Sequence, residues 1–547
     1  FATDQVRDAV LAELATDPGR LRRLHAAAYR SLVGMSGARA ADPARVARHA
    51  LAARPDVPDE AVAEACRAAA VSEVDALRAE SAIDFAIRGL ALTDDPDLRF
   101  ALQIAHGDAR HHRADMHAAN TAYRAAYHEA TTEVQQAFAA VRLSRRWMNP
   151  GQVDSAFLHI LTSSRDALEG RTDRAARELW MLLNATTAHW STMGVLQTET
   201  VGDVPEGVRL ARIALDALRP DTTPEVACEV LTECRYALFD YASPAESRAM
   251  SARLEEIAAE STSVHFAWEG VIQAAVDHMR VGEMVAARAA TERHRVLVEH
   301  TGHGMGPWSV LALDTIFDLW DGQLAAAEAR ILGPMRAMLE ARPRDVSDSM
   351  QQTWMAQLFW LRYQQGRMAE LAEVGVVRLA ERRQYFVVWA PAMALLRAQL
   401  GQLEGAVDQL VVMLDLTREL KALPPHGMAV PTLALAADAI DSLRGYRTDR
   451  LDIDDLAGRV DALLEPHTAE MALAGWPSVL IGPVHRARGL LALATGRPAA
   501  AMEHFDQAVH DVGGAPAQLA WLRLHQARAL RRMPADSRTR KIPELLD

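Results

Sequence analysis

The sequence predicts an all-α fold, a superhelical solenoid of antiparallel helical hairpins. Two observations predict it. First, glycine recurs at one place in a repeated helical pattern, at Gly170, Gly282, Gly322, Gly366, Gly401 and Gly496. An alanine follows five residues later in all but the Gly366 unit, which has Leu371; the alanines are Ala175, Ala287, Ala327, Ala406 and Ala501. Gly282, Gly322, Gly366 and Gly401 are separated by 40, 44 and 35 residues, the range in which a recurring period marks a helical solenoid. In such a unit glycine ends the first helix in the left-handed conformation that a side chain resists, and alanine lets the second helix approach closely. Second, nearly every segment between the turns carries apolar residues at the helical 3, 4, 7 spacing, and no stretch alternates as a strand would.

Taken in order, helix-breaking points fall at Pro55 and Pro58, Asp94 to Pro96, Asn149 to Gly151, Pro220 to Pro224, Thr301 to Pro307, Pro424 to Gly427, and Gly513 to Pro516. The intervals hold on the order of a dozen hairpins. Three stretches are expected: 1–55 as a helical lead-in, 56–300 as a degenerate repeat array, and 301–547 as a more regular one. The acidic segment Asp449 to Asp455 reads as a surface connector.

The clearest unit runs from Gly482 to about Gly514. With Gly496 as the turn, Gly489 lies on the first helix, and Ala501, Phe505 and Ala508 lie on the second. This small, small, aromatic, small order resembles a tetratricopeptide repeat at five positions. The Gly282 unit keeps Ala275 and Ala287 but has His294 where a small residue is expected.

Half of the residues are hydrophobic, 24% are charged and only 5% are aromatic, the balance of a folded chain packed through alanine and leucine. No membrane span is expected, because the longest charge-free stretch, Leu179 to Thr198, is interrupted by Asn184, Thr186, Thr187, His189, Ser191 and Thr192. Cys66, Cys228 and Cys234 form an odd set that reads as free thiols in a reducing cytoplasm. Phe1 is not a natural start, so the true N-terminus is expected upstream. Of the 59 lysines and arginines only Lys421 and Lys541 are lysines, and neither follows a glycine. A phosphate-binding P-loop needs a Gly-Lys pair, so no such nucleotide site is expected. The net charge of −13 argues against a nucleic-acid surface.

Both ends resemble a known family. Val6-Arg7-Asp8-Ala9-Val10, Arg20-Leu21-Arg22-Arg23-Leu24-His25 and Arg48-His49-Ala50-Leu51 resemble the helical segment after the nucleotide-binding module of large ATP-dependent LuxR-type regulators of actinobacteria. The segment Arg486 to Arg497, Gly514 to Pro516 and Ala527 to Leu530 is similar to the last repeats before the DNA-binding domain of those proteins. The resemblance implies that this chain is the sensor array of a signal-transducing NTPase. That family's P-loop and helix-turn-helix are absent from these residues.

Several residues are candidates for chemistry. His106, His111, His112, Asp115 and His117 cluster near one helix end, but without i, i+4 partners and a third ligand they read as a solvated helix end, and no metal is expected. The loop Thr301 to Pro307, with His300 and His303, is either a connector or an anion-holding helix start. Trp308, Trp320, Trp354, Trp360 and Trp389 gather in the central third. Each suits the inter-helix core. Alternatively Trp308, Trp354, Trp360 and Trp389, with Arg362 and with Arg382 and Arg383 nearby, suit a sugar, a polyketide-like ligand or a peptide on the inner surface of the solenoid. No Gly-x-Ser-x-Gly elbow, His-Glu-x-x-His or Cys-x-x-Cys occurs, so no catalytic residue and no cofactor is expected.

The leading expectation is a cytoplasmic regulatory sensor and scaffold that binds a small effector or a protein partner, or self-associates, and controls attached NTPase and DNA-binding domains. A free-standing peptide-binding adaptor is the alternative, and an all-helical enzyme a third. The C-terminal segment Pro516 to Arg531 reads as the first helix of a further hairpin whose second helix is limited to Ile542 to Leu546. Exposed apolar residues are expected there, covered either by chain beyond Asp547 or by another subunit.

Overall fold

The computed structural model describes residues 13–14, 16–35, 41–144, 154–193, 205–261, 264–301, 306–341, 348–373, 377, 386–475 and 477–534. The Val6 to Val10 and Ile542 to Leu546 segments, His303, Arg382 and Arg383 lie outside them. The helices are α1 (Pro18–Val33), α2 (Pro43–Ala52), α3 (Asp59–Asp75), α4 (Ala79–Leu90), α5 (Pro96–His112), α6 (Met116–Glu129), α7 (Glu133–Leu143), α8 (Ser155–Ala167), α9 (Arg174–Met193), α10 (Glu206–Ala217), α11 (Pro224–Ala237), α12 (Pro244–Ala258) and α13 (Val264–Arg280). They continue with α14 (Met284–Thr301), α15 (Gly306–Trp320), α16 (Leu324–Arg330, running on through a π turn at Ile331–Met335 into a last α-helical stretch at Arg336–Ala341), α17 (Asp348–Gln364), α18 (Glu370–Glu373), α19 (Trp389–Gln399), α20 (Leu403–Leu416), α21 (Ala429–Ser442) and α22 (Ile453–Leu464). After strands β1 (Met471–Ala474) and β2 (Val479–Pro483) come α23 (Val484–Ala494), α24 (Pro498–Asp511) and α25 (Pro516–Leu530). The fold is an all-α helical repeat with almost no sheet.

The repeated glycines do what the period demands. Gly170, Gly282, Gly322, Gly366, Gly401 and Gly496 all have φ between +67° and +78°, and Ala287, Ala327, Ala406 and Ala501 are fully buried where the second helix meets the first. Ala175 is the exception. It is exposed, and its neighbour Ala176 is buried instead. The turn explains this: α9 starts four residues after Gly170, with the Asp173 side chain capping the Ala176 N–H at 3.0 Å, whereas α14, α16, α20 and α24 start two residues after their glycines.

The chain divides into two compact units, the first made of 1–146, 159–183 and 301–305 and the second of 147–158, 184–300 and 306–547. In the first, each of helices α1 to α7 packs on the next, and Asp17, Asp42, Asp95, Asp115 and a Thr132–Gln135 capping box close the exposed N-termini. Its largest core cluster is mostly alanine, with Ala44, Ala47, Ala50, Ala69, Ala70 and Ala86 around Val62, Cys66 and Phe85. Between α3 and α6 the repeat continues without glycine at two of its turns. Leu77 and Ala114 take the left-handed conformation at φ 57° and 60°. Around Ala114 stand Gly107, Ala119, Tyr123 and Ala126, at the offsets of Gly489, Ala501, Phe505 and Ala508 around Gly496. A Cβ on Gly107 would lie 2.3 Å from the Tyr123 ring, and one on Gly489 would lie 2.4 Å from Phe505.

In the second unit a β-hairpin interrupts the array, contrary to the expectation that no strand occurs and that Gly482 opens a helical unit. Met471 pairs with Pro483, Ala472 with Gly482, Leu473 with Leu480 and Ala474 with Val479, with an irregularity between Ala472 and Leu473. Every residue of both strands is buried, so the segment shows no alternation of apolar and polar residues, which is why its pattern is silent. β1 packs on α13 and α21, and β2 on α15, α17 and α23. These are the first helices of their hairpins, so both strands lie on the side of the array that the first helices form. Met471, Leu473 and Leu480 join Phe239, Ile272, Val276, Leu313, Ile316 and Phe317 in one core cluster.

The second unit also returns on itself. A Cβ on Gly282 would lie 3.2 Å from the carbonyl of Asp511, and one on Gly322 would lie 2.6 Å from Ala517. Gln518 donates to the Trp320 carbonyl at 3.3 Å, and Trp521 packs at a tilt against Trp360 and Tyr363 with centroids 5.7 and 5.4 Å away. Much of the apolar surface of α25 expected to lie exposed is therefore covered from within the chain: Leu522, Ala529 and Leu530 are buried, while Leu524 is exposed.

Candidate functional site

Three elements of the second unit converge on an inner cavity. The end of α13 supplies Arg280, whose Nε donates to Glu470 at 2.6 Å and whose Nη1 donates to the Phe239 carbonyl at 2.9 Å. Both charges of the Arg280–Glu470 pair are buried, and the guanidinium lies 5.0 Å from the centre of the Phe239 ring. Glu470 precedes β1, and His467 Nδ1 also meets it at 3.0 Å. Burial raises the Glu470 carboxyl, but the His467 and Arg280 contacts outweigh it and leave the group below its ordinary value.

The third element is the loop from Thr417 to Met428. Arg418, Glu419 and Leu420 are successive non-glycine residues with φ of 50°, 61° and 64°, a conformation costing an L-residue about 1–2 kcal/mol each. The surroundings enforce it. Leu420 N–H donates to Thr417 Oγ1 at 3.1 Å, Glu419 N–H to the Leu414 carbonyl at 2.7 Å, and Arg459 Nη2 to the Glu419 carbonyl at 2.7 Å. At its far end His426 and Gly427 also have positive φ, and the Gly427 N–H donates to both oxygens of Asp240 at 3.0 and 3.1 Å. Burial pushes the Asp240 carboxyl up to about 6.

Between these elements lies a cavity of ≈ 320 Å³. Phe239, Leu420, Leu423, Pro424, Val430 and Leu463 give it apolar walls, and Asp240, Tyr241, Arg280, Lys421, His467 and Glu470 are its charged or titratable lining. The volume lies near the lower end of the range for small-ligand pockets.

Behind Asp240 is a buried stack. The rings of His189 and Tyr236 lie 5.0 Å apart and nearly parallel, and His426 stacks on His189 at 4.8 Å. Burial pushes His189 down to about 3 and His426 well below its ordinary value, so both rings are neutral and His189 Nδ1–H donates to Glu233 at 2.8 Å. Tyr236 donates to Glu269 at 2.6 Å, and burial raises the Glu269 carboxyl.

The residues singled out from the sequence lie on other elements of the same unit. Trp308 is buried on α15. Trp354 Nε1 donates to the Ile331 carbonyl at 2.9 Å. Trp360 and Trp389 are buried and line a second, apolar cavity of ≈ 50 Å³ together with Ala474 and Val479 of the hairpin; the Trp389 Nε1–H is bonded to Gln352. Arg362 has its guanidinium on Glu328 at 2.8 Å and Glu370 at 3.1 Å. The structure brings Trp360 and Trp389 to one cavity and leaves Trp308, Trp354 and Arg362 outside it. In the histidine group of the first unit, Arg110 donates to His106 at 3.2 Å and Asp115 caps α6 through Ala118 N–H at 3.1 Å. No set of three ligands that could hold a metal occurs among the described residues. The sequence reading missed Asp240, Lys421 and Glu470, although Lys421, one of two lysines in the chain, was a visible anomaly.

No model of a known protein family matches this chain, and no curated protein matches it. Among solved structures it is similar to a chain of the APC/C hetero-tetramer Cut9-Hcn1, at 12% identity over 88% of this chain and 89% of that one, with a TM-score of 0.41. It is also similar to yeast Tom70, at 10% identity over 97% and 98% of the two chains with a TM-score of 0.31. A third likeness is to the structure of Naa15/Naa10 bound to HypK-THB, at 12% identity over 97% and 100% with a TM-score of 0.24. The repeat class rests on the chain's own turn geometry, and among the described residues no helix is long and apolar enough to cross a membrane.

Proposed function

We propose that this chain is a regulatory helical-repeat scaffold that binds a small effector and, with attached NTPase and DNA-binding domains, forms a transcriptional regulator. The observation that carries the reading is the hairpin. β1 and β2 cover the first helices of the hairpins of the second unit, the face on which an adaptor of this class would hold an extended peptide, and the space left beside them is a half-open cavity of ≈ 320 Å³. That size suits a small molecule better than a peptide strand. The attached domains follow from the family resemblance of the two ends.

The complete reading frame tests this directly. A P-loop upstream and a helix-turn-helix downstream are expected; a frame that lacks both would leave the free-standing adaptor as the better reading. The purified chain should show no magnesium-dependent ATP turnover, since neither lysine follows a glycine. Measurable turnover would revive the enzyme.

A further inference from the structure

Two charged side chains lining the 320 Å³ cavity, Asp240 and Lys421, form no ion pair among the described residues, although the Arg280 and His467 charges act on Asp240 from within the same cavity. Arg280 and Glu470 neutralise each other. Asp240 accepts only from the backbone N–H groups of Gly427 and His426, and the Lys421 ammonium meets no carboxylate among the described residues. The chain otherwise uses arginine almost exclusively, and here it holds a compact point charge at the end of the strained Arg418 to Leu420 segment.

We propose that this cavity binds a zwitterion of amino-acid type, free or as a dipeptide, with its ammonium on Asp240, its carboxylate on Lys421 and an apolar side chain among Leu420, Leu423, Val430 and Leu463. The proposal rests on reading the array as an effector-binding module and names the class of effector. A simple anion would satisfy Lys421 but face the Asp240 carboxylate, and a simple amine would leave Lys421 without a partner. A zwitterion compensates both, in a site whose remaining walls are mostly apolar. The backbone strain at Arg418 to Leu420 fixes where Lys421 departs from the loop, which is the kind of pre-organisation found at ligand clamps.

Titration calorimetry on the full chain at neutral pH tests the proposal with L-leucine and L-leucyl-L-leucine. The controls are N-acetyl-L-leucine, which lacks the ammonium, and L-leucinamide, which lacks the carboxylate. At least one zwitterion should bind, and its blocked counterparts should bind about tenfold more weakly or worse. Lys421→Met, at an exposed position with no partner to lose among the described residues, should weaken the zwitterion about tenfold and should not weaken L-leucinamide, whose ammonium no longer meets a second cation. Asp240→Asn should weaken the zwitterion and should not weaken N-acetyl-L-leucine, which no longer faces a carboxylate there. Silence from both zwitterions, equal binding of parent and blocked compounds, or an indifferent Lys421→Met variant would each overturn the proposal. A thermal-shift screen of uncharged and anionic small molecules separates this from the broader reading. A stabilising compound whose effect disappears in Ala429→Trp, with no response to the zwitterions, overturns the ligand class and leaves effector binding standing.

Discussion

Whether a turn position tolerates a side chain depends on two separable costs, backbone conformation and room, and the repeat supplies clean cases of each. A Cβ on Gly496 would meet nothing within 4 Å, so Gly496→Ala should cost only the left-handed conformation, about 1 kcal/mol. Gly489→Ala instead drives a methyl into Phe505 and should cost about 1–3 kcal/mol by overpacking, as should Gly107→Ala against Tyr123. Ala114 already bears the left-handed cost, so Ala114→Gly should raise stability by roughly 0.5–1 kcal/mol, the relief of strain exceeding the entropy that glycine adds to the unfolded chain. Urea midpoints for the four variants check these signs; a destabilised Ala114→Gly would sink the equivalence of the two turns. Buried charge obeys a different rule. Asp438 receives four contacts of 2.7 to 3.1 Å from Arg486 and one of 3.1 Å from the Tyr363 hydroxyl, yet burial pushes its carboxyl up to about 6. Its folded value lies above the ordinary value near 4, so its contribution to stability is fully present below about pH 4 and is lost as pH rises through about 6. Arg486→Met removes the compensating cation and should cost about 3–5 kcal/mol at neutral pH. The loss should shrink markedly at pH values below 6 as Asp438 takes up a proton, which unfolding at the two pH values would read. A deficit that does not change with pH would mean that Asp438 stays ionised without its partner.

At the scale of elements, the hairpin is the part of the molecule whose removal matters most to its neighbours. Its base is tied by Glu470 to Arg280, and its turn by Ser478, whose carbonyl accepts from Gln357 at 3.0 Å and whose hydroxyl meets Thr353 at 3.1 Å. Leu480→Ala should therefore cost about 2–5 kcal/mol, as for a buried leucine. Hydrogen exchange should show the loss in α15 and α17 as well as in β2; a loss confined to the hairpin would mean that it merely lies on the inner face. The helical hairpins were legible because their information is local: left-handed glycines, alanines at a fixed offset and helical spacing all recur within one unit. The hairpin was not legible, because strands buried on both sides carry no alternation, and the partners that make Met471 to Pro483 a pair of strands lie far away in sequence, as the Arg280–Glu470 pair shows. In the first unit, expected only as part of a degenerate array, the turns at Leu77 and Ala114 escaped for a related reason. Leu77 and Ala114 adopt the turn conformation through the packing around them, so the glycine that marks the period elsewhere is missing. The cavity was hidden in the same way: Asp240, Lys421 and Glu470 share no local motif and meet only when the array folds.

At the scale of the whole molecule, the second unit differs from an open solenoid, whose repeats contact only their neighbours and whose stability is close to a sum of local terms. Here α24 and α25 reach the Gly282 and Gly322 turns, and Trp521 reaches Trp360 and Tyr363. Repeats distant in sequence therefore share a boundary, and the unit should unfold more cooperatively than a linear array. Truncation after Gly514 tests this. In an open array the loss of α25 would loosen only α23 and α24, against which it packs. In the closed unit it should also strip hydrogen-exchange protection from α15 and α17, where Gln518 caps the Trp320 carbonyl and Trp521 covers Trp360. It should further disturb the Asp438–Arg486 pair, because the Arg486 guanidinium lies 4.9 Å from the Trp521 ring and the neighbouring Asp441 pairs with Arg528 at 2.6 Å. Protection in α15 and α17 that survives the truncation would show that the contacts between early and late repeats add nothing to stability, and that the second unit behaves as a linear stack despite them.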